Sequence, residues 1–261
     1  MHRLVFSLFF GYCAAVQAAS IVQMWDFADP AASERRFREA LAAAQGDLAL
    51  ELETQIARSY SLRKRFADAH AALDLVEPRL ARAGAKPRVR YLLERGRSFN
   101  SAGDRAAARP LFVEAWELAR VAGEEYLAID AAHMVAIAEG GEQALRWNLL
   151  ALPLAENARD PQARRWKAAL LNNIGHELNG LGRHGEALGY LEQALEAYRE
   201  RGDKSTMRVA RWMVAHTLRL MGRGDEALAM QLALKRELDA EGAADPHVEN
   251  EIEKLLKGDR K

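Results

Sequence analysis

Apolar residues recur along this chain with the period of an α-helix. The pattern is clearest over residues 168–201. There Leu171, Ile174, Gly175 and Leu178 fall at i, i+3, i+4 and i+7 and make one apolar face. Gly182 interrupts the pattern, and Glu186 to Tyr198 carries a second amphipathic helix. The same helix–break–helix unit returns elsewhere. Leu92, Gly96, Phe99, Gly103, Ala108, Phe112 and Ala115 occupy the same relative places. Ala57, Tyr60, Ala69, Leu73 and Val76 make an earlier copy. Ala132, Val135, Ala144 and Ala151 make another, with Asn148 at a place that is otherwise bulky. Ala215, Leu218, Gly222 and Ala227 make the last, with Gln231 at that place. The equivalent alanines Ala69, Ala108, Ala144, Ala187 and Ala227 are spaced by 39, 36, 43 and 40 residues.

Flanking these five units are two lone helices. Ser33 to Ala44 places Phe37, Ala40 and Leu41 on one side. Pro246 to Leu256 points Val248, Ile252, Leu255 and Leu256 inward and Glu249, Glu251, Glu253 and Lys254 outward. Both are placed to cover the open ends of a stack. Pro110 lies inside a predicted helix and removes one of its hydrogen bonds, which predicts a kink or a late helix start.

Repetition on this frame resembles the tetratricopeptide repeat, a helix–turn–helix unit of roughly 34 residues. Numbered from Ala168, the unit has the family's bulky residue at position 4, Ile174-Gly175 at the Leu-Gly positions 7 and 8, a bulky residue at 11, Gly at 15, Ala at 20, a bulky residue at 24 and Ala at 27. The resemblance implies an all-α, right-handed superhelical solenoid of about five hairpins with helical caps. Its units would be a capping segment at 20–46, a repeat array at 47–240 and a closing helix and tail at 241–261. The spacings exceed 34, so the helices are longer or the linkers carry extra residues.

Composition agrees. Only 20 residues (11 Val, 6 Ile, 3 Thr) are β-branched, which disfavours strands. Lys+Arg and Asp+Glu are 37 each, so net charge supplies no reason to expect nucleic acid as a partner. Met1-His2-Arg3, the 13-residue apolar run Leu4–Val16 and the small residues Val16 and Ala18 read as a signal peptide over 1–19. The run is too short to span a membrane, and the mature chain carries no other candidate span. This predicts a periplasmic or secreted protein whose only cysteine, Cys13, is removed. Translation from Met24 would make it cytoplasmic instead.

No catalytic arrangement stands out. Gly180-Leu181-Gly182-Arg183-His184-Gly185 matches G-x-G-x-x-G, but a helix precedes it where a dinucleotide site needs a strand, so it reads as a hairpin turn. Asp203 and Asp225 read as helix N-caps, and Glu124-Glu125 as first-turn acids. No cofactor or metal is implied, and the chain reads as a non-enzymatic binding scaffold. One stripe does suggest chemistry. Position 9 of the successive units is Arg58, Arg97, His133, His176 and His216, all cationic or able to become so. In the family, positions 5, 9 and 12 line the concave groove. Here they add Asn100, Asn172, Asn179, Trp212 and Arg219, with Asn173 adjacent. Asn amides suit the backbone of an extended peptide, and Arg and His suit a carboxylate on it. Affinity for such a peptide should then rise as pH falls through about 6.5. The three histidines come from successive repeats and stand too far apart to share a zinc ion. The rival reading is an assembly or oligomerisation scaffold using the convex or terminal surfaces.

Overall fold

The computed structural model describes residues 21–258. The signal-peptide expectation, with Cys13, lies outside them. A short 3-10 turn, Ile21–Met24, leads into α1 (Pro30–Leu41). Asp29 accepts a hydrogen bond from the Ala32 amide and Pro30 takes the first helical position, so this start is capped twice over. Five antiparallel hairpins follow: α2 (Gly46–Leu62) with α3 (Phe66–Val76), α4 (Ala85–Ser101) with α5 (Arg105–Ala122), and α6 (Glu125–Glu139) with α7 (Gly141–Asn157). After the single turn α8 (Pro161–Arg164) come α9 (Trp166–Gly180) with α10 (His184–Arg201) and α11 (Lys204–Leu220) with α12 (Gly224–Ala240). The helix α13 (Pro246–Leu256) closes the stack. All of these elements are helical, and among the described residues no helix is long and apolar enough to cross a membrane.

Irregular repeat spacing has a visible cause. Pro78, which has no N–H to continue the α-helical ladder, stands where α3 gives way to a 3-10 segment, Glu77–Arg82, before α4. The turn α8 lengthens the link before α9. These two insertions lengthen the Ala69–Ala108 and Ala144–Ala187 intervals, while the Ala187–Ala227 interval has none and its length lies in α10 and α11, of 18 and 17 residues. Pro110 neither delays nor ends its helix, because α5 begins at Arg105 and runs on to Ala122. The proline nitrogen lies close enough to the helix start that only one backbone bond is forgone.

Within a hairpin the helices touch through small residues. Ala69, Ala108, Ala144, Ala187 and Ala227 are all buried. At repeat position 8, a Cβ on Gly96 would meet the Phe112 ring at 2.5 Å, and one on Gly175 would meet Leu191 Cγ at 2.4 Å. Phe112 and Leu191 are the bulky position 24 of the same hairpins, so large and small residues interlock across each pair. The turns use left-handed backbone at position 15: Gly103 (φ 94), Gly182 (φ 74), Gly222 (φ 80) and Lys64 (φ 61). Lys64 is the non-glycine among them, and its Cβ makes that conformation costly.

Two end assignments are corrected. Asp203 caps α11 by accepting from the Thr206 amide, but Asp225 lies inside the first turn of α12, whose cap is Arg223. In α13, Val248, Ile252 and Leu255 face inward, whereas Leu256 is 69% exposed and Glu251, expected outside, is buried. Glu251 is drawn inward by charges on α11.

Candidate functional site

The first helices of the hairpins, α2, α4, α6, α9 and α11, stack side by side along the inner face. In four of the five, position 9 points toward the next repeat, and there it meets position 6. Arg58 Nη1 lies 3.6 Å from Glu94 Oε1. Arg97 donates to Glu94 Oε1 at 2.7 Å and also to Asp130. His133 Nδ1 sits 3.2 Å from Asn173 Nδ2, with its ring 5.1 Å from that of Trp166. His216 Nδ1 lies 3.3 Å from Glu251 Oε2, and α13 supplies Glu251 at the register position a sixth repeat would give it. Position 2 adds a parallel rung, with Arg90 Nε donating to Glu51 Oε2 at 2.7 Å.

The row of cations is therefore a row of staples between repeats. Sequence reasoning found the cations and missed their partners, although Gln55, Glu94, Asp130, Asn173 and Met213 share one repeat position and could have been read in the same register. Burial alone would raise the Asp130 carboxyl, but Arg97 and Arg58 beside it hold it below the usual carboxylate range. The Arg97 guanidinium resists the same burial, and the two acids push its pKa up. Burial is likewise the largest influence on Glu251, yet hydrogen bonds from His216 and Arg219 bring it down to about 2. Burial lowers His133 below the ordinary imidazole range. With His133 held neutral and His216 facing an acid of its own chain, the five position-9 residues do not form one cationic surface.

The register breaks once. His176 is exposed, and the following repeat carries Met213 at position 6 in place of an acid or amide. Among the described residues, His176 makes no ion pair and no ring contact. Around it the floor is amide-rich. Asn172 and Asn173 are half-buried, and Asn172 Oδ1 has no hydrogen-bond partner. Asn179 Nδ2 donates to Thr217 Oγ1 at 2.7 Å, and its Oδ1 lies 3.1 Å from His184 Nδ1. Trp212 stacks on His216 with ring centroids 5.1 Å apart, and its indole N–H also lacks an acceptor. It borders a cavity of about 360 Å³ lined by Val209, Met213, Leu234, Leu238 and Val248. Arg219 is committed to Glu251, Nε to Oε2 at 2.7 Å. Asn100 is half-buried on the α4 inner face, and its Oδ1 has no partner. The structure thus places Asn172, Asn173, His176 and Asn179 along α9, which Asn179 ties to α11 through Thr217, with Trp212 on α11, and separates from them Arg58, Arg97 and Asn100 on α2 and α4.

The acidic pair Glu124-Glu125 acts structurally. Glu125 Oε2 accepts from the Arg159 and Asp160 amides at 2.9 and 2.8 Å, and those bonds lower its pKa. Gly180 to Gly185 forms the α9–α10 turn. Among the described residues, no group of three or more His, Cys, Asp or Glu is arranged to hold a metal ion.

Comparison with known proteins agrees with this architecture. The tetratricopeptide repeat family profile matches residues 168–201, the unit in which every family position is filled. No curated protein matches the chain. Among solved structures, it is similar to a signal-transduction ATPase of the STAND class with a tetratricopeptide-repeat sensor from Pyrococcus horikoshii. The TM-score is 0.71 at 13% identity over 91% of this chain, which spans only 37% of that protein. It is similar to the apo form of RapI, with a TM-score of 0.66 at 14% identity, covering 94% of this chain and 72% of RapI. NprR in complex with its cognate peptide NprX gives 0.57 at 14% identity, over 92% of this chain and 70% of NprR. At these identities the likeness establishes the fold. The chain therefore carries a tetratricopeptide repeat at residues 168–201, set in a solenoid of five like hairpins.

Proposed function

We propose that the protein is a non-enzymatic scaffold that receives an extended peptide on its inner face, at the floor formed by α9 and α11. The observation that carries this reading is the single break in the inter-repeat pairing. Everywhere else position 9 is tied to the next repeat. At His176 it is exposed, beside Asn172, Asn173 and Asn179. Asn side chains offer both donor and acceptor to an extended backbone, and an exposed imidazole suits a carboxylate on it. The adjoining cavity under Trp212 has the size and apolar lining for one aliphatic or aromatic side chain. The rigid stack holds these groups at fixed pitch, so binding orders the ligand and little of the receptor. The likeness to NprR, solved with a cognate peptide, supports the same reading.

The test is partner capture by the full chain and by the double variant Asn172→Ala/His176→Ala. Loss of capture by about tenfold, with unchanged melting temperature, is the expected result. Retention of capture would move the site elsewhere.

A second reading has its own observation. On the outer side, Leu111, Leu118 and Val121 of α5 border a cavity of about 610 Å³, and Val121 is 89% exposed. Self-association through this surface would show as a concentration-dependent mass in sedimentation equilibrium, abolished by Val121→Glu. Export belongs to the first reading. A native protein beginning at Ala19 or Ser20 supports it, and one beginning at Met24 overturns it.

A further inference from the structure

The inner face of the first repeat is already covered, and by an unusual element. Residues 21–29 precede α1 and fold back across α2. Ile21 is buried against Phe37, Leu52 and Ile56. Trp25 donates its indole N–H to Gln55 Oε1 at 3.0 Å and meets the Phe37 ring edge-on at 4.9 Å. Trp25 and Phe27 stack 5.1 Å apart with planes 4° from parallel, and the Arg58 guanidinium lies over both rings, 5.2 and 5.3 Å from their centroids. Gln55 is fully buried and is anchored on its other side by donating to Glu94 Oε1 at 3.3 Å.

Gln55 and Arg58 occupy repeat positions 6 and 9, the pair that staples neighbouring repeats elsewhere. At the start of the stack α1 is a lone helix, so no earlier repeat supplies a position-9 partner to Gln55. The aromatic segment fills that vacancy with an indole donor in place of a cation. It is held through side chains. Its backbone bonds include Arg36 Nη1 to the Met24 carbonyl at 3.0 Å, and the Asp26 amide and carbonyl to Ser33 Oγ at 2.7 and 3.0 Å. Phe27 is 61% exposed despite its two ring contacts.

We infer that the inner face of the first repeat is a binding site for a peptide bearing two aromatic side chains two residues apart, and that Trp25-Asp26-Phe27 is its resident occupant in reversible exchange. The recognition chemistry is an indole N–H on a buried amide oxygen and a guanidinium on two π-faces. A segment held by one short turn and a few side chains opens at lower free energy than the helices it rests on. An incoming ligand competes with an intramolecular one, whose effective concentration is on the order of millimolar. The inference rests on reading the inner face as peptide-receiving, but it shares no residue with the α9–α11 floor. Either can therefore fail alone.

The test uses the full chain with Trp25→Ala and Phe27→Ala, which vacates the site, and a labelled, end-capped synthetic peptide of residues 21–29. Saturable anisotropy is expected with the vacated chain. It should be at least about tenfold weaker with the unmodified chain, when Arg58→Ala is added, and for a peptide with both aromatics replaced by alanine. Binding that ignores Arg58 and the aromatics would overturn the inference. Hydrogen exchange on the unmodified chain keeps the question open to decision if the vacated chain fails to fold. Amides of 24–28 should exchange at least about a hundredfold faster than those in the middle of α2. Exchange of both segments at the same rate would overturn the inference.

Discussion

At Gly175 the packing of a whole hairpin depends on one missing methyl group. Alanine there is the better helix former, yet its Cβ would stand 2.4 Å from Leu191 Cγ and 3.2 Å from the Ala187 carbonyl. One of these contacts is backbone, which cannot swing aside. Gly175→Ala is therefore expected to destabilise by about 1–2 kcal/mol in urea unfolding, the overpacking cost exceeding the helix-propensity gain. Lys64 presents the opposite case. It is exposed, it holds φ 61, and the equivalent turns carry glycine. Lys64→Gly should stabilise by about 0.5–1 kcal/mol, because relief of the left-handed strain exceeds the entropy cost of the glycine. Unchanged stability in the same assay would mean that the lysine side chain compensates locally. The backbone strain at Lys64 emerged with the structure, whereas Gly175 was legible from repeat register alone. The buried role of Gln55, Glu94 and Asp130 was not, because a polar residue on a helix shows its direction only once the neighbouring helix is placed.

Between elements, the staples join each first helix to the next, and the clearest is the α11–α13 joint. Glu251 is ionised well below the usual range, its folded pKa near 2 against 4.5 when unfolded. A depressed carboxyl contributes stability above its unfolded pKa and loses it as pH falls through the folded one. With solvent screening the contribution at neutral pH is on the order of 1–2 kcal/mol, and it should fade between about pH 4.5 and pH 2. Urea midpoints of the parent and Glu251→Gln should differ at pH 7 and converge toward pH 2.5. A constant gap would show that the ion pair is not the source. Buried pairs of this kind do not always add net stability over apolar packing. They do fix register, and Glu251 tying both His216 and Arg219 sets α13 against α11 at one height. Helix periodicity predicted that α13 exists and where it begins, but assigned Glu251 to solvent, since an acid between apolar positions reads as an outer residue unless a cation faces it.

Taken whole, the molecule is a stack whose ends differ. At one end α13 buries Val248, Ile252 and Leu255 against α11 and α12 and presents Glu249 and Glu253 outward. A chain ending at Ala244 would lose three buried side chains, each contributing about 1.5–3 kcal/mol, so a loss on the order of 5 kcal/mol is expected. It would also expose the apolar ends of α11 and α12, and size-exclusion chromatography should show aggregates. A monodisperse truncated protein with an unaltered melting curve would refute the capping role. At the other end the aromatic segment 21–29 covers the first repeat. Between them the position-9 row is paired except at His176, so the break in the staples and the candidate floor coincide.

Sequence alone determined the helical class, the five hairpins, the small residues that let them touch and the two flanking helices. These follow from local periodicity and from steric demands that recur at fixed spacing. Only the tertiary structure decided what the inner cations do. Whether an arginine or histidine faces solvent or an acid depends on residues about 35 positions away on the next helix, and on how much water remains between them. The same dependence separated Arg97, closed between Glu94 and Asp130, from His176, which occupies the same repeat position and is left open.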